Sequence, residues 1–69
     1  MTIGTVKWFD VQRGYGFIQP EDGSKDAFVH ISAVEFAGLG QLREGQKVSY
    51  DLTRGKNGKE SAGNLALIE

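Results

Sequence analysis

Gly14-Tyr15-Gly16-Phe17-Ile18 and Asp26-Ala27-Phe28-Val29-His30 are the two runs whose reading decides the fold. Side chains on a pleated strand alternate between its two faces. In the first run Tyr15 and Phe17 therefore share one face, with Gly16 and Ile18 on the other. The second run sorts the same way, with Asp26, Phe28 and His30 opposite Ala27 and Val29. One face of the pair is aliphatic, as a core requires. The other is aromatic, polar and charged, and rings left at a surface offer flat partners on which unpaired bases stack.

Working outward, five of the seven aromatic residues, Trp8, Phe9, Tyr15, Phe17 and Phe28, fall between positions 8 and 28, with Arg13 and Lys25 among them and Lys7 and His30 just outside. Turning Phe17 and Phe28 inward would expose Ile18, Ala27 and Val29 and break their continuity with Val6, Val48 and Leu52, so the rings are expected outside. Trp8 and Phe9 are adjacent and cannot share a face in a regular strand, which requires either partial burial of one ring or a bulge. Phe36 and Tyr50 are expected in the core, because Tyr50 alternates with Val48 and Leu52. The Tyr50 hydroxyl would then reach a partner at the core's edge.

Composition narrows the alternatives. A chain of 69 residues buries only about 60% of its unfolded surface, and without cysteine it has neither disulfides nor thiolate metal ligands. One histidine cannot build an imidazole cluster, so no metal or cofactor is expected. Eight basic against nine acidic residues give a net charge of −1, which argues against strong long-range steering toward a polyanion. The distribution is uneven, however: residues 5–20 carry Lys7 and Arg13 against the single acid Asp10. The first residues lack a charged and then apolar leader, and no run reaches the length of a membrane span, so a cytoplasmic protein is expected.

Strands are predicted at Ile3–Asp10, Gly16–Gln19, Asp26–Ile31, Lys47–Thr53 and Ala62–Ile68, in one domain covering residues 1–69. Five short, closely spaced strands indicate an all-β barrel or sandwich. Pro20-Glu21-Asp22-Gly23 reads as the turn joining the second and third strands, and Asn57-Gly58 as the hairpin joining the last two. Ser32-Ala33-Val34-Glu35 fits a capping box opening about a turn of helix, with Ser32 as the cap. The predicted core is Val6, Ile18, Val29, Val34, Val48, Leu52 and Leu65, together with Tyr50, Leu67 and Ile31. His30 has no placed nucleophile or metal partner, so stacking or hydrogen bonding to a base is favoured over catalysis. Asp26 either accepts from a base edge or is a solvated carboxylate, and Lys7 and Arg13 beside the rings are candidates for phosphate contact.

Lys7-Trp8-Phe9-Asp10, Arg13-Gly14-Tyr15-Gly16-Phe17-Ile18 and Asp26-Ala27-Phe28-Val29-His30-Ile31-Ser32-Ala33, followed by Glu44-Gly45-Gln46-Lys47-Val48-Ser49 and Gly63-Asn64-Leu65, resemble the bacterial cold-shock protein family in order and spacing. The resemblance covers essentially the whole chain. It implies an all-β fold, a five-stranded antiparallel OB-type barrel, that binds single-stranded RNA and single-stranded DNA without catalysis, as an RNA chaperone and transcription antiterminator. By motif match the binding face comprises Lys7, Trp8, Arg13, Tyr15, Phe17, Asp26, Phe28 and His30, with Phe9 adjoining. Lys56 and Lys59, in a basic final hairpin that also carries Arg54, are expected to add phosphate contacts. Asp10 stands where the family usually has Asn, and Ile31 and Leu39 stand where aromatics are common, which shortens the stacking track. A monomer is expected. The rival readings are an OB barrel that takes a sugar or a protein partner on its aromatic face, and a small nuclease using His30 with Asp10 or Asp26. No phosphate-binding Gly-rich loop is present to couple binding to nucleotide hydrolysis.

Overall fold

The computed structural model describes residues 2–54 and 60–68. Its elements are β1 (Thr2–Asp10), β2 (Tyr15–Pro20), β3 (Ala27–His30), α1 (Ile31–Phe36), β4 (Lys47–Arg54) and β5 (Glu60–Leu67). The strands close into a barrel in the order β1-β2-β3-β5-β4. Every pairing is antiparallel except β3 with β5, which run parallel at Phe28↔Ser61. The five strands match the predicted ones to within two residues at each end. Asp26 lies just before β3, and Ile31 opens the helix rather than ending a strand. Between β2 and β3 the chain turns as expected: Gly23 N–H donates to Pro20 O at 3.3 Å, and the Asp22 carboxylate accepts from Ser24 N–H at 2.9 Å. Hydrogen bonding from the Ser24 side chain, and then from its N–H, holds the exposed Asp22 carboxyl below its usual range. Asn57-Gly58 lies outside the described residues.

The inward residues form one cluster of Val6, Ile18, Ala27, Val29, Val34, Leu42, Val48, Tyr50, Ala62 and Leu65. Three predicted members, Leu52, Leu67 and Ile31, are absent. β1 pairs with β4 only as far as Tyr50, and beyond it β4 continues against β5 alone, so Leu52 lies past the β1–β4 wall and is 41% exposed. Leu67, the last residue of β5, is exposed as well. Ile31 is half-buried. Leu42 enters the core from the connection between α1 and β4, where there is no strand or helix period to announce it.

The helix begins earlier than predicted. His30, not Ser32, is its N-cap: the imidazole Nδ1 accepts from Ser32 N–H at 3.1 Å and lies 2.9 Å from Ser32 Oγ. A helix of six residues has room for one inward stripe. Val34 occupies it fully buried, with Ala33 and Ala37 packed beside it, which leaves Phe36 outside at 88% exposure instead of in the core.

Candidate nucleic-acid interface

The face is set by a bulge. β1 pairs Val6 with Ile18 but Trp8 with Phe17, so Lys7 is an extra residue against β2. The extra residue resolves the conflict between Trp8 and Phe9. Val6 points inward, Lys7 and Trp8 both belong to the outer surface, and Phe9 returns to the core side opposite Gly16. Gly16 is required there, because a Cβ at this position would run into Trp8 O and come within 2.7 Å of Phe9 Cδ1.

The register then assembles the rings. Trp8 faces Phe17, Phe17 faces Phe28, and Tyr15 faces His30 across the strands. Trp8 lies 5.5 Å from Tyr15 and 5.4 Å from Phe17, both edge-on, and Phe17 lies edge-on to Phe28 at 5.9 Å. Tyr15 and Phe28 are nearly parallel at 26° with centroids 5.7 Å apart, and His30 continues the row 6.5 Å from Phe28. Edge-on contact suits the ring quadrupole and leaves ring faces available to a ligand. Trp8, Tyr15, Phe17 and Phe28 are each half-buried, and His30 is exposed.

Charges border this row in opposite-sign pairs. Lys7 Nζ lies 2.9 Å from Asp26 Oδ2, and Arg13 Nε lies 3.6 Å from Asp10 Oδ2. Both pairs are exposed, so each contributes at most about 1 kcal/mol and exchange of a carboxylate for a phosphate costs little. Asp10 has a second task that the sequence reading missed. Its Oδ1 accepts from Gln12 N–H at 2.9 Å and Arg13 N–H at 3.3 Å, and its carbonyl accepts from Gly14 N–H at 2.8 Å, which folds the loop between β1 and β2. An Asp at the start of a short loop is itself a signal for such a turn. Gly14 O in turn accepts from Ile31 N–H at 2.8 Å, tying this loop to the start of α1.

Lys7, Trp8, Arg13, Tyr15, Phe17, Asp26, Phe28 and His30 are thus drawn together by β1, β2, β3 and the two adjoining loops. Phe9 packs against the core beneath them. Lys56 and Lys59 lie outside the described residues. Among the described residues there is no group of three or more His, Cys, Asp or Glu placed to hold a metal ion, and no helix long and apolar enough to cross a membrane.

A closed five-stranded barrel carrying a row of rings and flanking cations on the outer side of β1, β2 and β3 defines an OB-type domain of the nucleic-acid-binding class. Comparison with known proteins places it more closely. A family model described as the 'Cold-shock' DNA-binding domain matches residues 2–68. The chain is 64% identical over 66 residues to the probable cold shock protein y4cH of Sinorhizobium fredii, covering 94% of this chain and 96% of that one. It is 62% identical to cold shock protein CspA of Rhizobium meliloti, with the same coverage. Over 64 residues it is 52% identical to cold shock-like protein CspE of Escherichia coli K12, covering 93% of each chain. The chain belongs to the cold-shock domain family, whose members bind nucleic acid and are not enzymes.

Proposed function

We propose that this protein binds single-stranded RNA and single-stranded DNA across Lys7, Trp8, Arg13, Tyr15, Phe17, Asp26, Phe28 and His30, with Lys56 and Lys59 adding phosphate contacts. It acts in the cytoplasm as a monomer and a single domain, as an RNA chaperone that opens weak structure by capturing exposed bases without ATP. Its cellular task is transcription antitermination or control of translation in the cold. The observation that carries this reading is the continuous row of contacting rings from Trp8 to His30 on one outer face. The names of the relatives given above, cold shock and cold shock-like proteins, support the cold-response part.

Stacking contributes about 1–3 kcal/mol per base and is blind to base identity, whereas paired bases hide their faces. Addition of a short oligothymidine therefore quenches Trp8 fluorescence and a duplex of equal length does not. An equal response to both rules out stacking on this face. For the chaperone role, a weak RNA hairpin carrying a fluorophore and quencher opens with protein concentration in the absence of ATP, while a strong stem resists. A folded Phe17→Ala, Phe28→Ala double variant loses that activity. Retention of opening by the double variant would assign it to charge rather than base capture.

A further inference from the structure

Phe36 is the most exposed large apolar side chain among the described residues, at 88%, and it does not belong to the sheet. Its place on α1 is informative. Ser32 and Phe36 are four residues apart on one helix and so lie on the same stripe, one above the other. Ala33, Val34 and Ala37 occupy the stripe packed on the barrel. The Ser32 side chain is located by its contact with His30, at 2.9 Å from Nδ1, so the stripe that ends at Phe36 begins beside the last member of the ring row. Helical side chains tilt back toward the N-terminus, which carries the Phe36 ring toward Ser32 and hence toward His30. One helical turn advances about 5–6 Å, matching the 5.4–6.5 Å steps between neighbouring members of the row.

We propose that Phe36 is a further stacking ring, which takes the base next after the one over His30 and extends the track off the sheet onto the outer stripe of α1. The proposal rests on the single-strand reading above. It gives a use to a ring left almost wholly in water, and it lengthens the track on the side where Ile31, not an aromatic, follows His30.

The test compares the unmodified protein with the Phe36→Ala, Phe36→Tyr and Phe28→Ala variants, each titrated with oligothymidines of about 4 and about 8 nucleotides while Trp8 fluorescence is followed. Phe36→Ala melts with the unmodified protein, binds the shorter strand equally well, and binds the longer one about fivefold to about a hundredfold more weakly. Phe36→Tyr restores the longer-strand affinity. Phe28→Ala weakens both. Equal affinity of Phe36→Ala for the longer strand overturns the proposal, and so does an equal loss on both strands. Sedimentation in which the unmodified protein self-associates and Phe36→Ala does not, with binding unchanged, would assign the ring to contact between copies and also overturns it. Failure of the unmodified protein to respond to either strand rejects the single-strand reading itself, and the Phe36 proposal with it.

Discussion

Tyr50 and the rings of Tyr15, Phe17 and Phe28 lie on opposite sides of the barrel wall. Tyr50 is fully buried on β4 as a member of the aliphatic core cluster. The outer rings touch one another, edge to face at Phe17 and nearly parallel between Tyr15 and Phe28, on strands whose inward positions are already filled by Ile18, Ala27 and Val29. The comparison teaches that alternation assigns a ring its work. An inward ring carries stability, and an outward ring whose strand is anchored by aliphatics can be lost at little cost to the fold.

The largest effect expected from that division is on the inner ring. Tyr50→Ala destabilises the fold by about 3–5 kcal/mol in a thermal or denaturant melt, because it empties a fully buried site. Phe17→Ala and Phe28→Ala each weaken single-strand binding by about 1–3 kcal/mol while the melt changes little. The two results exchanged would mean that the rings had been assigned to the wrong faces.

A finer test exploits the Tyr50 hydroxyl, which is buried and has no hydrogen-bond partner among the described residues, contrary to the expected contact at the core's edge. Tyr50→Phe keeps the ring and removes that cost, so it stabilises the fold by about 1 kcal/mol or more. Burial, with smaller contributions from Asp22 and Asp26, pushes the phenol above its ordinary value. Since the raised group stays protonated in the folded state after it ionises in the unfolded chain, its contribution is complete below about pH 10. It is lost as pH rises through the folded value. The melting difference between Tyr50→Phe and the unmodified protein therefore widens in alkali, and a constant gap would contradict the buried phenol.

The smallest effect concerns the border of the outer face. With Lys7, Arg13 and one or two of Arg54, Lys56 and Lys59 on phosphates, log affinity falls against log salt with a slope of about −2 to −3. Lys7→Gln makes that slope shallower by about 0.7. A slope near zero in the unmodified protein points to a sugar or protein ligand on the same rings.

Much of this was legible in the sequence because a period of two leaves few choices. Ile18 and Val29 inside, and Phe17 and Phe28 outside, follow once the strands pair. Other features depend on where strands stop, which alternation does not report. Leu52 obeys the inward period but extends beyond the strand that would cover it. Phe36, expected in the core as aromatics usually are, lies outside because a six-residue helix buries one stripe and Val34 fills it. The bulge at Lys7 was one of two solutions to the Trp8-Phe9 conflict, and the buried approach of Gly16 to β1 shows why it was taken. The helix start was misread because Ser32 and Glu35 fit a familiar template, whereas histidine is an uncommon cap.

The choice of His30 as cap also decides what its ring shows to a ligand. With Nδ1 engaged as the acceptor of Ser32 N–H, the neutral imidazole must keep its proton on Nε2. The tautomer is thus written into the helix start, and the free edge of the ring is a hydrogen-bond donor. In the proposed binding mode, a base that settles beside it is matched by its carbonyl oxygen or unprotonated ring nitrogen and not by its amino group, which would give a row otherwise indifferent to sequence one position with a chemical preference.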